Sequence, residues 1–460
     1  MRRYEEYKSC DPDWINPIPT NWNLFRIKSV ISRTINGVWG NEPEENNTDI
    51  VCIRVADFLY DSLSVSESNL TYRNISIDQL NGRILERGDL IIEKSGGGDK
   101  QPVGRVVKFD LPLKAVTSNF ISRIILVRGT IVPDFLLYYF SSLYANRVNT
   151  RSIKQTTGIQ NLDFYSYSTE LMPVPSTVEQ ICIGRYLDQK TQLIDTLIKK
   201  RKKQIELLKE QRITVINQAV TRGLDQTVKM KHSRIEWLGE LPKHWEITKV
   251  KFLSNIISKG TTPSTIGREV SDAGAVRFLK AENILNYGVT PTPEFYIDHE
   301  TDEVLKRSRL CKNDILFVIA GATIGKVAVL PLDLLPANTN QAVCFIRLSR
   351  PSDSKYLWYW LQSSKIQENI WLEAVQSAQP NIAMEDLGNL PVPFPAQVER
   401  ERIVDFLNLQ TSKIADLIEK EEGLIEKLQE YRTTLISNVV TGKIDVREEV
   451  IPNGTTGATH

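Results

Sequence analysis

Between Ser176 and Gly223 the apolar residues fall on a single stripe, Leu187, Ile194, Ile198, Ile205, Leu208 and Val215, separated by polar positions. Spacings of three, four and seven held over this length predict one long helix with a seam for a second strand. The stripe returns 220 positions later as Leu407, Ile414, Ile418, Ile425, Leu428 and Leu435. Ser176 and Glu179 form an S-x-x-E capping box directly after Pro175, and Gly223 stands where a helix-ending glycine belongs. At ~1.5 Å per residue each helix is a rod of roughly 65 to 70 Å.

Upstream of each rod the pattern changes to short β-rich runs broken by Gly, Asn, Asp and Ser clusters. In the first segment these include Leu90-Ile91-Ile92 and Ile124-Ile125-Leu126-Val127, with helical patterning only around Phe135 to Asn146. The second segment repeats the order with Ile315-Leu316-Phe317-Val318, Val343-Cys344-Phe345-Ile346 and a helix from Tyr356 to Asn369. The expected fold class is therefore α+β: two similar globular α+β domains in a pseudo-twofold arrangement, joined by two long helices forming an antiparallel coiled coil.

Short motifs confirm that the chain is written twice. Trp14, Pro19 and Trp22 recur as Trp237, Pro242 and Trp245, while Pro173-Val174-Pro175 before the first rod recurs as Pro391-Val392-Pro393 before the second. An offset near 220 throughout marks a tandem duplication. It divides the chain into a first domain over 1–175 with a lead-in at 10–24, a helix over 176–223, a second domain over 224–395 with a lead-in at 233–247, a helix over 396–442, and a tail over 443–460 expected to be flexible.

Charge separates the two rods. From Ser176 to Gly223 there are ten Lys/Arg against five Asp/Glu, and from Ala396 to Thr441 six against nine. The contrast is sharpest mid-helix, where Lys199-Lys200-Arg201-Lys202-Lys203 corresponds to Glu419-Lys420-Glu421-Glu422-Gly423. Antiparallel rods cross at their midpoints, so Lys199 to Lys203 are expected to face Glu419 to Glu422, with Lys200, Arg201, Glu421 and Glu422 as the pairing residues. Individually such pairs contribute little, which leaves stability to the apolar seam and partner selection to charge. Unchanged folding and assembly in a Glu421→Lys, Glu422→Lys double variant would exclude the pairing.

Composition and motifs exclude more than they assign. No apolar run reaches the ~18 residues of a membrane span, and Met1-Arg2-Arg3-Tyr4-Glu5-Glu6 lacks the apolar core of a secretion signal, so a cytoplasmic location is expected. Five scattered cysteines and four histidines suggest neither a disulfide framework nor a zinc site. Gly321-Ala322-Thr323-Ile324-Gly325-Lys326-Val327 is one residue short of a P-loop and has Val327 where a Mg2+-binding hydroxyl is needed. No catalytic constellation and no metal site is indicated.

The order of parts resembles the DNA specificity subunit of type I restriction-modification enzymes. Two divergent α+β domains, each opened by a Trp-x4-Pro-x2-Trp lead-in and each followed by a Pro-Val-Pro segment and a long helix, carry that resemblance across nearly the whole chain. It implies a non-catalytic subunit whose two target recognition domains read the halves of a split, asymmetric site in double-stranded DNA. It further implies that the helices space the half-sites and dock two methyltransferase (modification) subunits, with restriction/translocase subunits completing the complex. S-adenosylmethionine, ATP and Mg2+ are then expected on partner subunits, with no cofactor on this chain and no membrane partner. A stand-alone DNA methyltransferase and a coiled-coil scaffold that does not touch DNA are the competing classes.

The globular segments are nearly neutral, with 17 basic against 16 acidic residues over 20–175 and 15 against 16 over 245–395. A positive DNA-binding surface must therefore be local, or affinity must be shared with partner subunits. The first candidate pair is the loop carrying Lys94, Ser95, Lys100 and Arg105 and its counterpart carrying Thr323 and Lys326; their glycines can bring backbone N–H groups close to a phosphate. Arg54 matches Lys280, with Asn283 three residues on, as strand-end salt bridge or as DNA contact. Thr117-Ser118-Asn119 matches Asn338-Thr339-Asn340, making Asn340 a candidate. Two amide-rich loops, with Thr157, Gln160 and Asn161 in one and Gln376, Gln379 and Asn381 in the other, have the chemistry to read adenine edges.

Overall fold

The computed structural model describes residues 2–45, 49–156, 158–374 and 381–449. Both rods are present, as helices Thr177–Arg222 of 46 residues and Gln397–Val440 of 44 residues. The first is about 69 Å long at ~1.5 Å per residue.

The chain forms two compact units whose boundaries differ from those of the sequence repeat. One contains residues 1–202 and 422–460, the other residues 203–421. Each unit thus combines one globular domain with the first half of its own following helix and the last half of the other helix.

The first unit shows why. Strand Asn23–Arg26 pairs antiparallel with Leu171–Val174, so the Pro-Val-Pro segment closes the domain just before the helix begins. Trp22, fully buried, donates its indole N–H to Glu179 Oε1 at 3.2 Å, and Tyr4 donates its hydroxyl to the same oxygen at 2.6 Å. Gly442, at the end of the second rod, has φ +74°, and a Cβ there would lie 2.4 Å from Pro19 and 3.3 Å from Trp22. Farther along, Asp195 pairs with Arg432 at 3.1 Å. Contacts that rise along one helix (179, then 195) and fall along the other (442, then 432) make the pairing antiparallel. Leu187, Ile194 and Ile198 share a core with Leu435, Ile436 and Val439, with Ile425 and Leu428 partly buried against it.

The second unit repeats this latch. Trp245 donates to Glu399 Oε1 at 3.0 Å, and a Cβ on Gly223, the end of the first rod, would meet Trp245 at 3.2 Å. Ile216, Ala219 and Val220 share the core of Ile403 and Leu407, with Val215 partly buried against it. The predicted capping box is half realised. Ser176 Oγ accepts from Glu179 N at 3.3 Å, but the Glu179 carboxylate serves Trp22 and Tyr4. Consistently, the second copy has Ala396 at the cap position and keeps Glu399.

On the rods, Ile205, Leu208 and Ile414 are also buried and Ile418 is half-buried. Mid-helix, Arg201 and Glu421 are half-buried, whereas Lys199, Lys200, Lys202, Lys203, Glu419 and Glu422 are exposed. Lys200 and Glu422 thus lie on the exposed faces of their rods, outside the apolar seam. The expected flexible tail is corrected: Val446 is buried, Asp445 bridges to Arg2, and Arg447 lies over the Tyr4 ring at 4.9 Å. Residues 450–460 of that tail lie outside the described residues.

Both domains share one sheet plan. In the first, Ile31–Asn36, Ile121–Leu126, Asp89–Glu93 and Val106–Phe109 lie side by side; in the second, Ser254–Lys259, Val343–Leu348, Ile315–Val318 and Val327–Val329 take the same order. A smaller sheet places Ala115–Thr117 parallel to Asp49–Ile53, matched by Ala337–Thr339 parallel to Val276–Leu279. Helix Pro133–Ala145 and helix Ser354–Gln362 fasten each domain to its rod. Tyr138 donates to Asp188 at 2.8 Å, and Tyr359 donates to Asn408 at 3.0 Å.

Candidate nucleic-acid interface

The ladder hydrogen bonds fix which residues of the two domains correspond. Glu93 N donates to Arg105 O at 2.9 Å, and Val318 N donates to Lys326 O at 2.9 Å. Arg105 and Lys326 are therefore true counterparts, while Glu93 corresponds to Val318. Leu162 N donates to Lys94 O at 2.8 Å and Ile382 N to Ile319 O at 2.9 Å, which matches Lys94 with Ile319 and Asn161 with Asn381.

Four candidates gather at one corner of the first domain. Ser95 donates its hydroxyl to Asn161 Oδ1 at 2.6 Å, and Lys94 donates its ammonium to Asn36 Oδ1 at 2.9 Å. Partial burial lowers the Lys94 pKa below the usual lysine value. The Arg105 guanidinium lies 3.7 Å from the Tyr60 ring centre and 4.7 Å from that of Tyr144, which holds its charge in a fixed place. Next to it, burial pushes the Glu93 carboxyl up to about 7, with Arg105 opposing that rise. Burial and the nearby Glu93 push the Tyr60 phenol up to about 12.

The structure removes other candidates. Gln160 is buried and its Oε1 accepts from Val103 N at 3.3 Å; the amide-rich loop is a hairpin, Ile153–Thr156 against Ile159–Leu162, and this residue turns from it into the domain interior. Asn283 is 1% exposed, accepts from Lys280 N at 2.9 Å and donates to Thr290 O and Pro293 O, so it fastens a turn. Its counterpart Asp57 pairs with Arg54 at 2.9 Å, the strand-end salt bridge. Lys280 places its ammonium 3.3 Å from the Phe295 ring centre.

The expected backbone cradle for phosphate is partly taken up by the turns themselves. In the second loop Ile324 N donates to Gly321 O, Gly325 N to Val318 O and Lys326 N to Thr323 O; in the first, Gly98 N donates to Gln101 O. Those N–H groups are engaged inside their turns, which leaves charged side chains such as Arg105 and Lys326 to meet an anion. Thr323 and Lys326 are half-buried, Lys100 and Asn381 exposed. Asn340 accepts from Ala342 N at 3.1 Å, which shapes its own turn. Thr157, Gln376 and Gln379 lie outside the described residues.

Sequence reasoning missed the neighbours of that turn. Thr117 pairs with Ile53 and Thr339 with Leu279, so the offset there is 222 and Asn119 corresponds to Gln341 instead of Asn340. Phe120 is 47% exposed beside Lys94, a position the hydrophobic pattern alone assigns to the core.

The type I restriction modification DNA specificity domain matches residues 19–207 and again residues 242–430. The chain belongs to this family. Each match runs from a lead-in into the rod that follows, as the duplication requires. The MjaVIII specificity subunit of Methanocaldococcus jannaschii is 28% identical over 321 residues, covering 68% of this chain and 71% of that protein. A putative MjaX specificity subunit of the same organism is 23% identical, covering 96% and 97%. A chain solved in a study of complex assembly and conformational transition of the type I R-M system superposes with a TM-score of 0.67 at 16% identity, covering 93% of this chain and 99% of that one. This likeness shows the shared fold. Among the described residues no helix is long and apolar enough to cross a membrane.

Proposed function

We propose that this specificity subunit selects a split, asymmetric site in double-stranded DNA, each unit reading one half, and carries no catalytic step itself. One observation carries the reading: the two domains keep the same strands, latches and turns while the side chains displayed at the corresponding corner differ. Lys94 and Ser95 in one domain stand where Ile319, which is buried, and Ala320 stand in the other, beside the matched Asn161 and Asn381, and the exposed Asn119 and Phe120 give way to Gln341 and Ala342. Identical frames with unlike surfaces suit two unlike half-sites.

The near-identical parts, rods and latches, suit two copies of one protein partner. The rods are proposed to dock two modification subunits, to which S-adenosylmethionine binding and methyl transfer belong. ATP and Mg2+ belong to restriction/translocase subunits, and the location is cytoplasmic. Titrating the purified chain with S-adenosylmethionine, and the assembly with duplex DNA, tests this assignment. No cofactor binding by the chain and duplex binding that depends on it are expected; methylation by the chain alone would make it an enzyme, and duplex binding indifferent to it would make it a scaffold.

A further inference from the structure

We infer that the turns over 118–121 and 340–343 are the base-reading tips of the two domains, with Asn119 and Phe120 specifying bases in one half-site and Gln341 in the other. This deepens the proposed function and rests on it.

Each turn is held rigidly. In the first domain Ser118 N donates to Ile53 O, Ile121 N to Ser118 O, and Val38 N and Gly37 N to Thr117 O and Ile121 O; Lys94 N and Ser95 N both donate to Phe120 O. In the second, Val343 N donates to Asn340 O, Ile319 N to Ala342 O and Gly260 N to Asn340 O. The turns press against a glycine in both cases. A Cβ on Gly37 would lie 2.1 Å from Thr117 O, and one on Gly260 1.7 Å from Thr339 O. Such an approach leaves the turn little freedom to shift.

What these rigid turns display is different. Asn119 and Phe120 are exposed at the first tip, and Gln341 is exposed at the second with Ala342 half-buried beside it. A carboxamide can pair bidentately with adenine, and an aromatic or methyl-sized group can pack on the thymine methyl in the major groove. A phenylalanine 47% exposed on a rigid tip, its carbonyl held by the Lys94 and Ser95 N–H groups, is costly to leave in water.

A cation accompanies each tip by a different route. In the first domain Lys94 reaches over to Asn36; in the second, Ile319 occupies the Lys94 position, and Lys259 occupies that of Asn36. The charge has changed strand and kept its corner. A backbone phosphate beside the bases being read is the ligand that such a cation fits.

The test maps the sites methylated by the chain assembled with its modification subunits, for wild type, Asn119→Ala, Phe120→Ala, Gln341→Ala and the double variant N119Q/F120A, which copies the second tip. Thermal unfolding of each assembly accompanies the map. Substitutions at the first tip are expected to relax one half-site by about 5- to 100-fold in base discrimination and leave the other unchanged; Gln341→Ala relaxes the opposite half. Variants that keep the wild-type melting temperature and the wild-type motif overturn the inference while the split site stands. A wild-type map without a split site overturns the function proposal, and this one with it.

Discussion

The latch residue Glu179 offers the sharpest energetic test of how the units are closed. It is buried together with Trp22 and Tyr4, and both donate to one of its oxygens. Glu179→Ala leaves two buried donors without an acceptor, each costing about 1–3 kcal/mol. Removing the buried carboxylate returns part of its own desolvation cost, so the expected loss is about 2–4 kcal/mol. The equivalent Glu399 accepts from Trp245 and from the half-exposed His244, so Glu399→Ala strands one buried donor and is expected to cost about 1–2 kcal/mol. Denaturant unfolding of both variants, followed by tryptophan fluorescence, compares the two. Equal losses, or a loss below about 0.5 kcal/mol for Glu179→Ala, would falsify the latch as the element that fixes helix to domain.

Other outcomes follow from the same geometry. Because the Glu93 pKa is raised from 4.5 to about 7 in the folded state, protonation stabilises the fold fully below pH 4.5, and this stability is lost as pH rises through about 7. Glu93→Gln should therefore gain about 3 kcal/mol over wild type between pH 4.5 and 8, and a pH-independent difference in urea midpoints would contradict that sign. Arg105→Ala and Lys326→Ala, measured in the assembly, are each expected to lower the slope of log affinity against log salt by about 0.9; slopes identical to wild type would show that neither side chain meets a phosphate. Arg432→Met leaves Asp195 partly buried without its ion pair and should cost about 1–3 kcal/mol, read by hydrogen exchange in the adjoining half of each rod; undisturbed protection would assign the seam wholly to its aliphatic residues.

The rods and the duplication were legible because helical spacing and the Trp and Pro landmarks need no tertiary information. The antiparallel exchange of helix halves was legible from the charge contrast, but the latches that fix it were not. A repeat shows that Trp22 precedes Glu179 as Trp245 precedes Glu399, but nothing local says that Gly442 returns to Trp22 and Gly223 to Trp245. The candidate surface was read only in part for a related reason. The offset between domains runs 226 at Ile53 and Leu279, 225 at Glu93 and Val318, 222 at Phe120 and Ala342, and 221 at Arg105 and Lys326. Loop insertions cause that drift, and a shift of one residue separates Asn340, the sequence counterpart of Asn119, from Gln341, its structural counterpart. Likewise Gln160 and Asn283 have base-reading chemistry, yet pairing turns both inward, a fact only the strand register reveals.

The central claim, two unlike readers in one duplicated frame, is tested most directly by sequencing the methylated positions left on genomic DNA by the chain assembled with its modification subunits. Two unlike half-sites separated by a fixed gap are predicted. A single continuous motif, or the same methylation pattern in the absence of this chain, would contradict it.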